Sequence, residues 1–167
     1  MAEKSNKFEW RRRQFIAASV GVDECEAKIR QVRKNINFTV EDPKPYREMF
    51  ELISSFGKTG DIEKISQMFQ EEIDQNPTEP LGYYFQAATK LLSKSPQLEE
   101  AERLVRKAID LSETLKSDSQ KARFQILLGM IHHQRADLES AEKFFFAATQ
   151  IDPKSISKNI EPHSHLR

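Results

Sequence analysis

The chain has 167 residues, of which 38% are hydrophobic and 31% charged, and this composition suits one domain with a modest core. Its 26 Lys and Arg balance its 26 Asp and Glu, and zero net charge argues against a dedicated nucleic-acid binder. A single Cys excludes an internal disulfide framework and fits a reducing compartment, and no apolar stretch approaches the roughly 18 residues that span a bilayer.

The first predicted helix covers residues 8–20, where Trp10 and Phe15 are bulky apolar side chains. Arg12 and Arg13 precede a short apolar run, and this order resembles a twin-arginine export motif. The apolar run is only about eight residues long, at the lower limit for a signal peptide. We therefore expect an amphipathic helix in a cytoplasmic protein, with export through the Arg12-Arg13 segment as the alternative.

A second predicted helix begins with a capping box formed by Asp23 and Glu26. Its apolar side chains recur with helical spacing and form one stripe: Cys25, Ile29, Val32 and Ile36. The two helices in residues 1–42 are interpreted as an N-terminal cap or a degenerate repeat.

Six more helices are predicted after Pro43 and Pro45, which interrupt the chain. They cover residues 45–57, 61–76, 80–92, 98–115, 117–134 and 138–151. The segment from Gly57 to Gly60 is predicted as a turn, with Asp61 capping the helix that follows. No alternating strand pattern appears in the sequence, so the predicted fold class is all-α, with about eight helices in stacked antiparallel pairs.

The predicted helix pairs recur along the chain. Phe69 and Phe145 are 76 residues apart, as are Pro77 and Pro153, and this offset equals two periods of 38 residues. Because bulky and proline positions recur at the same offset, the pattern indicates helical hairpins stacked side by side.

The last repeat has the residue spacing of a known helical-repeat family. Leu128 and Gly129 are followed, at fixed intervals, by Ala141, Phe145, Ala148 and Pro153. Small residues let two helices cross closely, and bulky residues fill the gaps around them. Over about residues 46–155 the chain resembles the tetratricopeptide repeat family. The resemblance implies a right-handed superhelical solenoid, with three repeats in residues 43–155 and a polar tail at 156–167.

In the resembled family, the first helix of each pair lines a concave groove that binds peptides. Carried over by position, the resemblance implies ten groove residues: Arg47, Phe50, Ser54, Phe85, Thr89, Leu92, Arg123, Ile126, Met130 and His133. Members that serve cytosolic chaperones use Lys and Asn at such positions to clamp a C-terminal carboxylate, and this clamp is absent from the sequence. We therefore expect a scaffold or adaptor that binds an apolar or helical segment of another protein. The alternative occupant is the chain's own N-terminal helix, with Trp10 and Phe15.

Two other interpretations of the repeats remain open. Residues 56–61, with Met68 and Phe69 after them, resemble a pentatricopeptide repeat, and this resemblance implies binding of single-stranded RNA. The acidic composition of residues 61–80 argues against RNA. In the other interpretation, the chain is a structural subunit that uses the ends of the solenoid to join a larger assembly.

A docking patch is predicted near the N-terminus, where Trp10 is followed by Arg11, Arg12 and Arg13. An aromatic side chain beside three cations suits an acidic partner, a membrane surface or the acidic segment 61–80 of another copy. The patch therefore provides a route to self-association.

No pattern in the sequence predicts a catalytic, metal or cofactor site. His132 and His133 are adjacent on a helix, so their side chains point about 100° apart and cannot share a metal. Cys25 lies on an apolar stripe and is interpreted as a buried thiol. The segment from Gly57 to Gly60 lacks the upstream strand of a phosphate-binding loop. We expect no enzymatic activity and no cofactor.

Overall fold

A computed structural model describes residue 24 and residues 26–37, 42–59 and 62–155. Within these ranges every regular element is an α-helix, which confirms the predicted all-α class. The helices are α1 (residues 26–34), α2 (Lys44–Thr59), α3 (Glu63–Gln75), α4 (Pro80–Leu91), α5 (Leu98–Ser112), α6 (Asp118–Gln134) and α7 (Leu138–Ile151).

Several predicted features lie outside the described residues: the helix over 8–20, the caps Asp23 and Asp61, the Cys25 thiol, the patch Trp10 to Arg13 and the tail 156–167. Seven helices lie within the described residues. None of them combines the length and the apolar character that crossing a membrane requires.

Local signals set the starts of three helices. The side chains of Glu79, Ser117 and Asp137 each accept a hydrogen bond at 3.2 Å from the backbone N–H three residues later. These bonds satisfy N–H groups that the first turn of a helix leaves without an internal partner. Pro80 occupies the first position of α4, where its missing N–H costs nothing. Helices α4, α6 and α7 therefore begin close to their predicted positions.

Three predicted boundaries are wrong. The chain is helical through Thr59, so the predicted turn from Gly57 is instead the last part of α2. Gly57 serves a close helix contact here: a Cβ added to it would overlap the carbonyl oxygen of Leu92. Helix α5 ends at Ser112, three residues before the predicted Leu115, and Ile36 follows α1 as a buried residue outside the helix.

Each helix from α3 to α7 packs against the next helix in the chain, whereas α2 makes its main contacts with α4. The most extensive contacts join α6 to α7 and α4 to α5, and α3 also packs on α4. Between α3 and α4, the Gln86 side chain donates to the carbonyl oxygen of Ser66 at 2.9 Å. The rings of Phe69 and Phe85 stack nearby, with centroids 5.7 Å apart. Because later residues of one helix meet earlier residues of the other, the two helices run in opposite directions.

Helices α2 and α4 instead run parallel. Phe50 meets Tyr84 in the first halves of the two helices, with ring centroids 5.9 Å apart, and Gly57 meets Leu92 at their ends. Tyr84 also contacts Phe124, in the first half of α6, at 5.1 Å. The N-terminal halves of α2, α4 and α6 therefore lie close to one another.

The crossing of α6 and α7 depends on a small residue. A Cβ added to Gly129 would lie 2.6 Å from Cε1 of Phe145, which is closer than packed carbon atoms approach. Ala141 and Ala148, the small positions of α7, are buried. The small and bulky residues of the last repeat thus meet across this pair, as the sequence predicts.

The core is centred on α4, in which every residue from Pro80 to Thr89 is buried. A helix buried on all sides occupies the middle of a helical assembly. Five aromatic rings contact one another around it, with centroids 5.1 to 6.4 Å apart: Tyr46, Phe69, Tyr84, Phe85 and Phe124. A smaller buried cluster between α6 and α7 contains Ala122, Ile126 and Ala148.

Candidate partner-binding surface

The ten predicted groove residues do not form one open surface. Four are at most 3% exposed: Phe85, Thr89, Arg123 and Ile126. Four are half-buried: Phe50, Ser54, Leu92 and Met130. Only Arg47 and His133 are exposed. The predicted groove therefore divides into a filled part around Arg123 and an open part around His133.

The filled part is a buried polar cluster that joins α2 to α6. The guanidinium of Arg123 lies 3.7 Å from the centre of the Tyr46 ring, and the Gln120 side-chain amide donates to the Tyr46 hydroxyl. Burial raises the pKa of Tyr46, and the charge of Arg123 acts in the opposite direction. A cation that is 1% exposed and stacked on an aromatic ring contributes to packing. Its position does not suit the phosphate contacts that RNA binding requires.

Arg33, near the end of α1, forms hydrogen bonds with residues of three different segments. Its Nε donates to Glu72 at 3.0 Å, Nη2 donates to Glu79 at 3.2 Å, and Nη1 donates to the carbonyl oxygen of Ile36 at 2.8 Å. Its guanidinium carbon lies 5.5 Å from the centre of the Phe85 ring. Burial raises the pKa of Glu79, and the charge of Arg33 opposes this rise. One guanidinium thus links α1, α3 and α4.

The segment 33–37 contacts this filled part through Arg33, which lies over the predicted groove residue Phe85, and through Asn37. Ile36 is 2% exposed, and the carbonyl oxygen of Asn37 accepts a hydrogen bond from the Gln120 side chain at 3.3 Å. The alternative occupants expected from the sequence, Trp10 and Phe15, both lie outside the described residues. Helical periodicity could not predict the contact between Asn37 and Gln120, because these residues are 83 positions apart in the sequence.

Replacing Arg33 with glutamine is expected to lower the free energy of unfolding by about 2 to 3 kcal/mol, because Glu72 and Glu79 then lose their shared cation in a partly buried site. The matched control is Arg103→Gln, since the pair between Arg103 and Glu100 is exposed and about 0.5 kcal/mol or less is expected from its loss. Urea unfolding followed by circular dichroism measures both. Equal losses in the two variants would contradict the role given to Arg33.

The open part of the surface is an apolar pocket of about 260 Å³. Helices α4, α6 and α7 line it with six residues: Leu91, Leu92, Met130, His133, Gln134 and Phe145. Three of these, Leu92, Met130 and His133, are predicted groove residues, so the structure brings them together. Phe145 was predicted only as a packing residue, and it lines the pocket from α7. A concave apolar site with few polar groups is the usual form of a binding pocket.

The side chains that line this pocket include no Lys or Arg. None of the six lining residues carries a carboxylate. The pocket therefore favours an apolar side chain.

The helix that supplies Phe145 also carries two exposed apolar side chains. Leu138 is 59% exposed and Phe146 is 64% exposed, and no other large hydrophobic residue of the described ranges is exposed. Single exposed apolar residues are common on protein surfaces, and both of these lie on the helix that supplies Phe145 to the pocket.

The side chains of His132 and His133 lie in different environments, as expected for neighbouring residues that point about 100° apart on a helix. His133 lines the pocket, whereas His132 is 8% exposed and lies between two carboxylates. Its Nδ1 is 3.3 Å from Asp137 and its Nε2 is 3.4 Å from Glu102, which also binds Arg135. Among the described residues, no group of three or more His, Cys, Asp or Glu is arranged to hold a metal. The cluster around His132 joins α5 to the turn between α6 and α7.

Comparison of the chain with protein-family models, with curated proteins and with solved structures returns no match. A function is therefore inferred from the chain's own residues and their geometry.

Proposed function

We propose that this chain is a non-catalytic protein-interaction module that binds an apolar segment of another protein in the pocket between α4, α6 and α7. The observation that carries the proposal is the pocket itself, because three residues predicted for partner binding, Leu92, Met130 and His133, meet there. We further propose a cytoplasmic location, in which a partner would be another soluble protein or a subunit of a larger assembly.

The packing of the helices supports a solenoid of tetratricopeptide-like pairs. Helices α2, α4 and α6 run parallel, and the pairs α4–α5 and α6–α7 pack closely, as stacked hairpins require, whereas the predicted first pair, α2 and α3, is not closely packed. The small residue Gly129 faces the bulky residue Phe145 at the last crossing, which matches the spacing that carries the family resemblance. We propose this arrangement as the framework that holds the pocket in shape.

Binding would be driven by burial of one apolar anchor. Full burial of a Leu, Met or Phe side chain contributes about 1.5 to 3 kcal/mol, which corresponds to a change of roughly 10- to 100-fold in affinity. The half-buried side chains Leu92 and Met130 would contact the anchor, and the exposed His133 and Gln134 would contact its polar flanks. A preformed pocket keeps the entropic cost of this contact small.

The proposal is tested by capture of partners on the immobilised full chain, followed by mass spectrometry. The double variant Leu92→Ala/Met130→Ala is expected to reduce recovery of the specific partner at least about tenfold, because both side chains contact the anchor. An Ile109→Ala/Leu111→Ala double variant is the matched control. These two side chains on α5 are also half-buried against the core but do not line the pocket.

The control separates binding from folding. Undiminished capture by the pocket variant, or an equal loss in both variants, would contradict the pocket as the contact. If RNA is recovered instead, with binding that falls steeply between about 50 mM and about 200 mM salt, the RNA interpretation replaces this one.

A further inference from the structure

The residues that follow α7 carry the signals of a new helix start. The Asp152 side chain accepts a hydrogen bond from the backbone N–H of Lys154 at 3.2 Å, and Pro153 lies between them in the chain. Asp152 has extended backbone angles, φ −142° and ψ 103°, which are typical of the residue that caps a helix start. The backbone N–H of Ser155 donates to the carbonyl oxygen of Asp152 at 2.9 Å, and Ser155 is helical. One helix therefore ends at Ile151, and the chain turns directly into another.

The same three residue types begin α2. In the segment Asp42-Pro43-Lys44, the Asp42 side chain accepts a hydrogen bond from the N–H of Lys44 at 3.0 Å, and α2 follows. The parallel helices α2, α4 and α6 begin at residues 44, 80 and 118, which are 36 and 38 residues apart, and Lys154 follows Asp118 by 36. The start at residue 153 thus has the local structure and the spacing of the next helix in this parallel series.

Residues 156–161 follow the described part of the chain, and their sequence suits such a helix. Ile156 and Ile160 are four positions apart, a spacing that puts both on one helix face. Lys154 and Lys158 have the same spacing on the opposite face, and Lys154 is exposed. A helix that ends before Pro162 is shorter than the roughly 12 residues below which isolated helices are marginal in water. It therefore needs a surface on which to pack.

The end of α7 leads onto an apolar surface that can serve this purpose. The smaller buried cluster between α6 and α7 has three half-buried apolar neighbours: Met130, Phe145 and Ile151. Ile151 is the last residue of α7, and Ser155, four residues later, has no exposed surface. The chain is therefore still packed against the protein at the point where the new helix begins.

We infer that residues 153–161 form a further helix, which packs Ile156 and Ile160 against the cluster between α6 and α7. The occupant of this apolar surface is thus the chain's own next segment, and no partner protein is needed to cover it. Met130 and Phe145 pack against the cluster and also line the pocket, so the segment lies beside the pocket wall. The inference goes beyond the proposed function, because it holds whether or not a partner binds.

The first test is hydrogen exchange of the full chain, measured by mass spectrometry. Backbone amides of residues 157–161 are expected to exchange at least about tenfold more slowly than in a synthetic peptide of the same segment, because packing stabilises the short helix. The double variant Ile156→Ser/Ile160→Ser is expected to lose this protection. Lys154→Ser/Lys158→Ser, with the same spacing on the opposite face, is the matched control and should keep it.

Two results of this test would overturn the inference. One is equal exchange in the full chain and in the peptide, which would show that the segment does not pack. The other is an equal loss of protection in the isoleucine and lysine variants, which would show that the apolar face makes no special contact.

A second test locates the helix on the cluster. In the full chain labelled with carbon-13 at its methionine methyl groups, the NMR signal of Met130, assigned with Met130→Leu, is expected to shift in the isoleucine variant and not in the lysine variant. Met49 and Met68 belong to the larger core and are references whose signals should not move. A Met130 signal that is the same in all three chains overturns the placement. Neither test uses a partner, so the proposed function fails separately, when the Leu92 and Met130 variant captures its partner as well as the unchanged chain.

Discussion

Replacing Gly57 with alanine is expected to lower the free energy of unfolding by about 3 kcal/mol or more, a large part of the stability of an ordinary domain. The added Cβ would overlap the carbonyl oxygen of Leu92, lie 2.9 Å from its carbonyl carbon and 3.4 Å from the Cα of Ser93. All three neighbours are backbone atoms, which cannot rotate away as a side chain can. The better helix propensity of alanine offsets only about 1 kcal/mol.

Gly82→Ala is the matched control for this prediction. A Cβ at Gly82 would meet side-chain atoms only, Oε2 of Glu72 at 3.2 Å and Cγ1 of Ile73 at 3.3 Å, and these can shift by a few tenths of an ångström. We expect a change within about 1 kcal/mol in urea unfolding, because the propensity gain balances the tighter packing. If both variants lost the same stability, the close approach of α2 to the end of α4 would not be the reason.

The position of Gly57 also connects the fold to the pocket. Leu92, whose carbonyl lies against Gly57, contributes its side chain to the pocket. A variant that moves the end of α4 would therefore disturb the lining as well as the packing. The end of α4 is held in place from one side by α2 and faces the pocket on the other.

The helices after residue 43 could be predicted because their signals are local. Apolar side chains recur with helical spacing, and Pro80, Ser117 and Asp137 occupy helix starts for reasons that concern only the next three residues. Gly57 shows the limit of such reasoning. A glycine near Lys58, Thr59 and Gly60 has the composition of a turn, and the sequence does not reveal that its missing side chain admits another helix.

The candidate surface could be predicted only in part. Leu92, Met130 and His133 meet at the pocket, because carrying positions over from a repeat family locates the inner side of successive helices. The same transfer fails for Arg123, because the Tyr46 ring of α2 stacks on its guanidinium. A signal for burial was present in α4, where apolar residues occur on every side of the helix.

Phe85→Ala is expected to lower the free energy of unfolding by about 3 to 5 kcal/mol, the range for removing a large buried ring. Phe85 has no exposed surface, and its ring contacts Tyr46 at 6.1 Å, Phe69 at 5.7 Å and Tyr84 at 5.1 Å. The guanidinium of Arg33 covers its face. The cavity left by alanine would therefore loosen α1, α2, α3 and α4 together.

Phe146→Ala is the control, because the same ring is removed from a side chain that is 64% exposed, and we expect a change within about 0.5 kcal/mol. Urea unfolding gives the stability of both variants, and partner capture on the folded fraction gives binding. Comparison of Phe85→Ala with Phe146→Ala shows whether Phe85, a predicted groove residue, belongs to the core or to a binding surface. If Phe85 is a core residue, its removal lowers stability. If it is a groove residue, capture weakens while stability stays within about 1 kcal/mol, and that result would contradict its place in the core.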